Sequence, residues 1–197
     1  MRAVVRAGRL ALAAIATVAT VTACAPVVPS TTPSTAPARI YGQVLPKTFC
    51  QGQDFNPLVA ALDAGPIFAK PGFLDHGGVE DQWYGCNLST KRTDRFLYAS
   101  VFVRIDLFGQ ASSATKAMDA AVAKLTSPAS FEADSVERAV KDVRPDGIDI
   151  LILDGNLLVS TRAHVDQGLT IPTAAEEELD ELAHVVLAHV RTSATRV

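Results

Sequence analysis

Between Phe96 and Phe108 the chain alternates without a break, and that alternation limits the folds open to it. Leu97, Ala99, Val101, Val103, Ile105 and Leu107 fall on one side of an extended strand. Phe96, Tyr98, Ser100, Phe102, Arg104 and Asp106 fall on the other. Successive side chains of a strand point to opposite faces, so the first set makes a wholly aliphatic face that has to meet other apolar elements. The second set mixes aromatic, polar and charged groups. A sheet covered on one side needs only one apolar face, so these aromatics have two readings. Either they form a minor core under a neighbouring segment, or they line a partly open groove.

The elements around this strand follow from local signals. Asn56 to Ala64 reads as a short helix with Pro57 in its first turn, Asp54 or Asn56 as cap, and Leu58, Val59 and Leu62 as its buried stripe. Residues 70–82, with Pro71, Gly72, Gly77 and Gly78, read as a loop able to cover the mixed face. Trp83 to Leu88 reads as a strand. Gln110 to Thr126 reads as a helix with Ala114, Ala117, Met118, Ala121, Val122 and Leu125 on one stripe, ended by Pro128. Phe131 to Val143 fits either helix or strand. Ile148 to Leu153 and Leu157 to Ala163 flank Asp154-Gly155, a hairpin signal. Thr173 to about Val190 closes the chain as a helix, with Thr173 and Glu176 as a capping box and a stripe through Leu179, Leu182, Ala183, Val186, Leu187 and Val190. Helices and strands without regular βαβ alternation predict an α+β fold: one antiparallel sheet with helices packed mainly on one face.

The N-terminus has a separate logic. Arg2, Arg6 and Arg9 precede an uncharged apolar stretch from Leu10 to Val21, the length of an export signal's core and short of the ~20 residues of a membrane-spanning helix. It runs into Val21-Thr22-Ala23-Cys24, which resembles the lipobox of bacterial lipoproteins. The resemblance implies removal of residues 1–23, diacylglycerol on the Cys24 thiol, and a protein anchored to the extracytoplasmic face of the cell membrane. Residues 24–46 then form a Pro-, Ser- and Thr-rich tether, spanning between ~25 Å as a coil and ~70 Å as a polyproline helix. Residues 47–197 remain as a single globular domain, about the usual size for one core. In an oxidising compartment Cys50 and Cys86 are expected to pair, the alternatives being two buried thiols or a metal site for which ligand spacing is lacking.

Cys50 ahead of a helix carrying Leu58 and Leu62, then Trp83-Tyr84-Gly85-Cys86, Asp154-Gly155-Asn156, and Leu179 with Leu182, give residues 47–190 a further likeness. They resemble the small actinobacterial envelope lipoproteins grouped as domain of unknown function 3558. The resemblance implies a cell-envelope role and assigns no reaction.

Loss of the leader removes three arginines and leaves 15 basic residues against 21 acidic ones, a net charge of about −6. Such a domain offers no footprint for nucleic acid, and only its lipid would hold it on an anionic membrane. No phosphate loop, His-Glu-x-x-His or Gly-x-Ser-x-Gly motif occurs, so the chain reads as non-catalytic, with no cofactor and no metal implied. His184 and His189 are five apart on the last helix and face different ways. His164 stands beside Asp166. His76, with Asp75, Glu80 and Asp81 near it, marks either a weak metal or polar ligand site or a flexible solvated loop. The candidate ligand residues are Trp83, Tyr84, Tyr98 and Phe102. The expected function is binding of a hydrophobic or glycolipid-like ligand, and the alternative is docking of an envelope protein through a surface patch.

Overall fold

The structure, a computed structural model, describes residues 39–42, 45–46, 48–63, 72–77, 81–89, 98–166 and 168–194. The leader, Cys24, most of the tether, Gly65-Pro66 and Phe96 lie outside the described residues. After a 3-10 turn at Phe49–Gly52 come α1 (Asn56–Ala61), β1 (Gly72–Gly77), β2 (Asp81–Ser89), β3 (Ala99–Phe108), α2 (Ala111–Val122), β4 (Ala129–Ser130), β5 (Arg138–Arg144), β6 (Gly147–Asp154), β7 (Leu157–Val165) and α3 (Thr173–Ser193). The strands form one seven-stranded sheet in the order β1-β2-β3-β7-β6-β5-β4, and every pair is antiparallel. This is the α+β fold with a single antiparallel sheet that the sequence predicts.

Register explains the two faces. Val103 pairs with Thr161, Ile105 with Val159 and Leu107 with Leu157, while Ile152 pairs with Val159. All of these lie on the first face, and all are buried. Leu58 of α1 and Leu62 just after it, with Leu179, Ala183, Val186 and Val190 of α3, close over them in one core. On the second face Leu151, Leu153 and Leu158, with Val140, meet Ala114 and Met118 of α2 in a smaller core. Helices therefore sit on both sides, α1 and α3 together on one and α2 alone on the other.

Cys50 and Cys86 are joined, with their Cα atoms 5.5 Å apart, and the bond ties the turn before α1 to the middle of β2. The packed domain also starts earlier than the composition suggests, by Arg39 rather than Lys47. Tyr41 and Leu45 are 1% and 3% exposed and belong to the main core. The strap they form is clamped by the turn after β6. Tyr41 donates its backbone N–H to Asn156 Oδ1 at 2.7 Å, and Asn156 Nδ2 returns a bond to the Tyr41 carbonyl at 3.1 Å. Gly155 has φ +65°, and a Cβ there would fall on the Arg39 carbonyl oxygen. The turn needs glycine twice over, for its left-handed backbone and for this close approach.

Two local expectations are corrected, and one open alternative is decided. The segment read as a loop over residues 70–82 contains β1, whose residues pair with β2 from Gly72–Asn87 to Gly77–Gln82. Phe131 to Val143 resolves into a connection followed by β5. The Thr173–Glu176 box does not form: Pro172 is the N-cap of α3 with no side-chain cap, and Glu176 instead accepts from Lys141 at 2.8 Å. The charged amine of a half-buried sheet lysine is a stronger partner for that carboxylate than one helix-end N–H.

Two outcomes check this account in urea unfolding. A chain beginning at Lys47 is expected to lose about 3–6 kcal/mol, because burial of Tyr41 and Leu45 contributes ~1.5–3 kcal/mol for each side chain. Replacing Cys50 and Cys86 by alanine is expected to cost ~4 kcal/mol, the loop-closure value for a span of this size.

Candidate functional site

Strand alternation sends Trp83, Phe102, Arg104, Asp106, Ser160 and Arg162 to the second face, beyond the part that α2 covers. Between them and α2 lies a groove of about 490 Å³, with Ala117, Ala121 and Lys124 forming the helical wall. The small side chains of α2 let the helix sit close to β7 while leaving room beside it. Gly85, between Trp83 and Cys86 on β2, has no side chain to fill the floor. A Cβ there would lie 3.1 Å from the Trp83 ring and 3.2 Å from the Phe102 ring, so this glycine lets the two aromatics settle against the backbone.

Charged groups on the floor are paired across and along the strands. Arg104 stands 5.0 Å from the Trp83 ring centroid, a cation–π distance. Its Nε donates to both oxygens of Asp106 at 2.9 Å, and its Nη2 to Oδ1 at 2.6 Å. That bonding raises the Arg104 pKa against the opposing effect of burial. Two residues apart on one strand, Arg104 and Asp106 share a face, which is why the bidentate geometry is available. Arg162 gives its Nε to Asp149 at 2.7 Å. Asp149 also takes Arg144, with the His164 ring 4.0 Å away. The arrangement suits binding. Asp106 gives both oxygens to a guanidinium, whose remaining edge stays open to the groove.

Asp142 holds the helical wall in place. It is completely buried on β5, and accepts from the backbone N–H groups of Ser127, at 2.7 Å, and Thr126, at 3.3 Å, in the segment following α2. Arg144 completes its set of donors. Burial pushes this carboxyl up, but the two N–H groups and the guanidinium outweigh it, and the group titrates below the ordinary aspartate range.

Of the four sequence-predicted ligand residues, Trp83 and Phe102 line the groove. Tyr84 does not. As the next residue along β2 it points to the first face, is 5% exposed within the core, and donates its hydroxyl to Gln82 at 2.7 Å. Tyr98 precedes β3, is 37% exposed, and stands outside the groove lining. His76 falls in β1, in register with Trp83, and Glu80 lies outside the described residues. The two helix histidines are structural. His189 meets Gln53 and stacks on Phe49 at 4.7 Å, and His184 bonds the Glu132 carbonyl at 2.9 Å beside Phe131. His164 faces Asp149 rather than the nearby Asp166. Sequence reasoning missed Lys124, Ser160 and Arg162. The alternation of Leu158, Ser160 and Arg162 opposite the apolar set of the same strand was the available signal.

In comparisons with known proteins, the chain matches no family model, no curated protein and no solved structure.

Asp142→Asn tests the support of the wall. A carboxyl with a depressed folded pKa contributes stability above the ordinary aspartate range and loses it as pH falls through the depressed value. The variant is expected to be less stable by about 2–3 kcal/mol at neutral pH. The gap to the parent should narrow on acidification below the ordinary aspartate pKa, as read by thermal unfolding across pH.

Proposed function

We propose that this protein is a non-catalytic binding module of the cell envelope, anchored through acylated Cys24, that takes an amphiphilic, glycolipid-like ligand in the groove between α2 and the second face of the sheet. The observation that carries the reading is the groove itself. Its volume of about 490 Å³ is within the ~300–1,000 Å³ of small-molecule sites, and Trp83, Phe102, Phe108 and Leu158 share it with Arg104, Asp106, Ser160 and Arg162. An entirely hydrocarbon ligand would leave those charges without water, so a ligand with one apolar and one polar end fits better.

Two further features support it. The large apolar side chains most exposed among the described residues, Ile40, Tyr98, Val143 and Val185, come from four separate segments. Isolated exposed residues need no partner to explain them, which favours a groove over a docking patch. The strap also enters the domain at the turn after β6, next to the Leu107–Leu157 pair, while Asp106 and Leu158 of the groove form the next pair along. A tether leaving at Arg39 therefore starts from the groove's end of the sheet. The likeness to small actinobacterial envelope lipoproteins belongs to this proposal.

The groove and the anchor are tested separately. Phe102→Ala is expected to weaken binding of an apolar fluorescent probe while changing stability by less than ~2 kcal/mol, since the ring is half-buried. A loss of ~3–5 kcal/mol, the range for a fully buried Phe, would make this face core and end the reading. Cys24→Ala is expected to leave the precursor uncut and unacylated. A mature mass lacking diacylglycerol in the parent protein, by intact-mass analysis after detergent partitioning, would remove the anchor.

A further inference from the structure

We infer that the polar end of the ligand is a phosphate-like oxyanion, received by Arg162, Lys124 and the free edge of Arg104; this rests on the groove reading above and narrows it to a ligand class. Three cations line the groove against the single carboxylate of Asp106, in a chain whose acidic residues outnumber its basic ones by 21 to 18. The cations also keep donors to spare. Arg162 uses only Nε, on Asp149, and its two terminal nitrogens have no partner among the described residues. Arg104 uses Nε and Nη2 on Asp106 and leaves Nη1. Lys124 has no carboxylate partner among the described residues and is exposed at the end of α2.

Ser160 supplies an independent sign. It is 6% exposed, lines the groove, and its hydroxyl has no hydrogen-bond partner among the described residues. Unlike Gln53 Oε1 and Thr161 Oγ1, which are unpartnered and shut off from water, the Ser160 hydroxyl opens to the groove, where it can meet a ligand oxygen. Register sets Ser160 opposite Arg104 and Arg162 opposite Phe102, so hydroxyl, guanidinium and aromatic ring alternate over adjacent strands. Guanidinium groups with a free planar edge match the oxygens of a phosphate.

The alternatives fit less well. A quaternary ammonium headgroup needs an open aromatic face, but Arg104 already lies over Trp83 at 5.0 Å and would repel a second cation. A neutral sugar is held by stacking and by carboxylate acceptors, and here the one carboxylate of the lining is occupied by Arg104. The same oxyanion chemistry serves a lipid headgroup and a free phosphate, and the experiment separates the two.

Trp83 is the only tryptophan of the chain, so its fluorescence reports on the groove without a label. The mature protein is titrated with dihexanoyl phosphatidylglycerol, dihexanoyl phosphatidylcholine and octyl glucoside, each below its micellar concentration, and with inorganic phosphate. The anionic amphiphile is expected to bind at least about tenfold tighter than the zwitterionic one, and Lys124→Gln to remove about tenfold of that affinity, ~1.4 kcal/mol, while leaving octyl glucoside unchanged. Arg162→Gln is expected to act in the same direction, and thermal unfolding separates lost binding from lost folding. Equal affinities for the two phospholipids, with octyl glucoside still bound, would overturn the oxyanion while the groove stands. Inorganic phosphate binding as tightly as the anionic amphiphile would assign the cations to a free anion and overturn the amphiphile. Silence of Trp83 with every amphiphile would overturn the groove reading itself.

Discussion

Asp154 lies 3% exposed at the end of β6, where its Oδ2 accepts from the Tyr41 hydroxyl at 2.5 Å, Arg191 Nε at 2.8 Å and Arg39 Nη1 at 3.3 Å. Those donors come from the first described segment and from the last turn of α3. A carboxylate out of water costs several kcal/mol unless charge and hydrogen bonds offset it, and this one has two guanidinium groups and a phenol. The same arginines reach on to the Ser135 carbonyl, and Arg191 also to that of Asp134. One buried charge thus fastens the entry strap, the connection before β5 and the terminal helix to a single hairpin turn. Asn156 next to it bonds the Phe108 carbonyl at 2.7 Å, which extends the clamp to the end of β3.

Closing the first face this way decides what the second can be. With α1, α3, the strap and the disulfide all on one side, α2 is the only helix among the described residues packed on the other. Its buried residues, Ala114 and Met118, cover Val140, Leu151, Leu153 and Leu158. That cover is apolar and narrow. Beyond it the face carries arginines and aspartates, which a half-open sheet tolerates because neighbours on one face pair at i, i+2 or across strands. Arg144 joins Asp142 and Asp149 in this manner. The groove is the boundary between the apolar and ionic halves.

How much of this the sequence disclosed depends on the range of each determinant. The faces of β3 were legible because alternation is local and uninterrupted, and the hairpin at Asp154-Gly155 because a left-handed turn has its own residue signal. Pairing Cys50 with Cys86 followed from their being the only cysteines besides Cys24, which the lipobox resemblance reserves for acylation. Grouping Trp83 with Tyr84 failed on the same alternation that worked for β3: adjacent strand residues cannot share a site. β1 was hidden because Gly72 and Gly77 read as loop residues, while its pairing with β2 is a tertiary fact. The strap was hidden by the prolines around it. Tyr41 and Leu45 are too sparse to show periodicity, and Tyr41 is held by Asp154 and Asn156, more than a hundred residues away along the chain. His189 looked like a helix-end histidine, since the Phe49 ring it stacks on belongs to the segment the disulfide holds in place.

The groove is shaped by contacts within the fold. Its floor is the central part of the sheet, where β2, β3 and β7 pair over almost their whole length. Its wall is fixed at the C-terminal end of α2 by a fully buried carboxylate that takes two successive backbone N–H groups. The exposed Arg138–Asp119 pair, at 2.7 Å, adds a second but solvent-screened link from β5 to that helix. Arg104 is held by Asp106 below and by the Trp83 ring beside it, so its unused edge is already oriented. A site whose wall, floor and donors are all fixed by contacts within the fold loses little conformational entropy when it is filled. The cost of ordering the polar end of the groove has been met in folding, by the aspartates that hold its arginines.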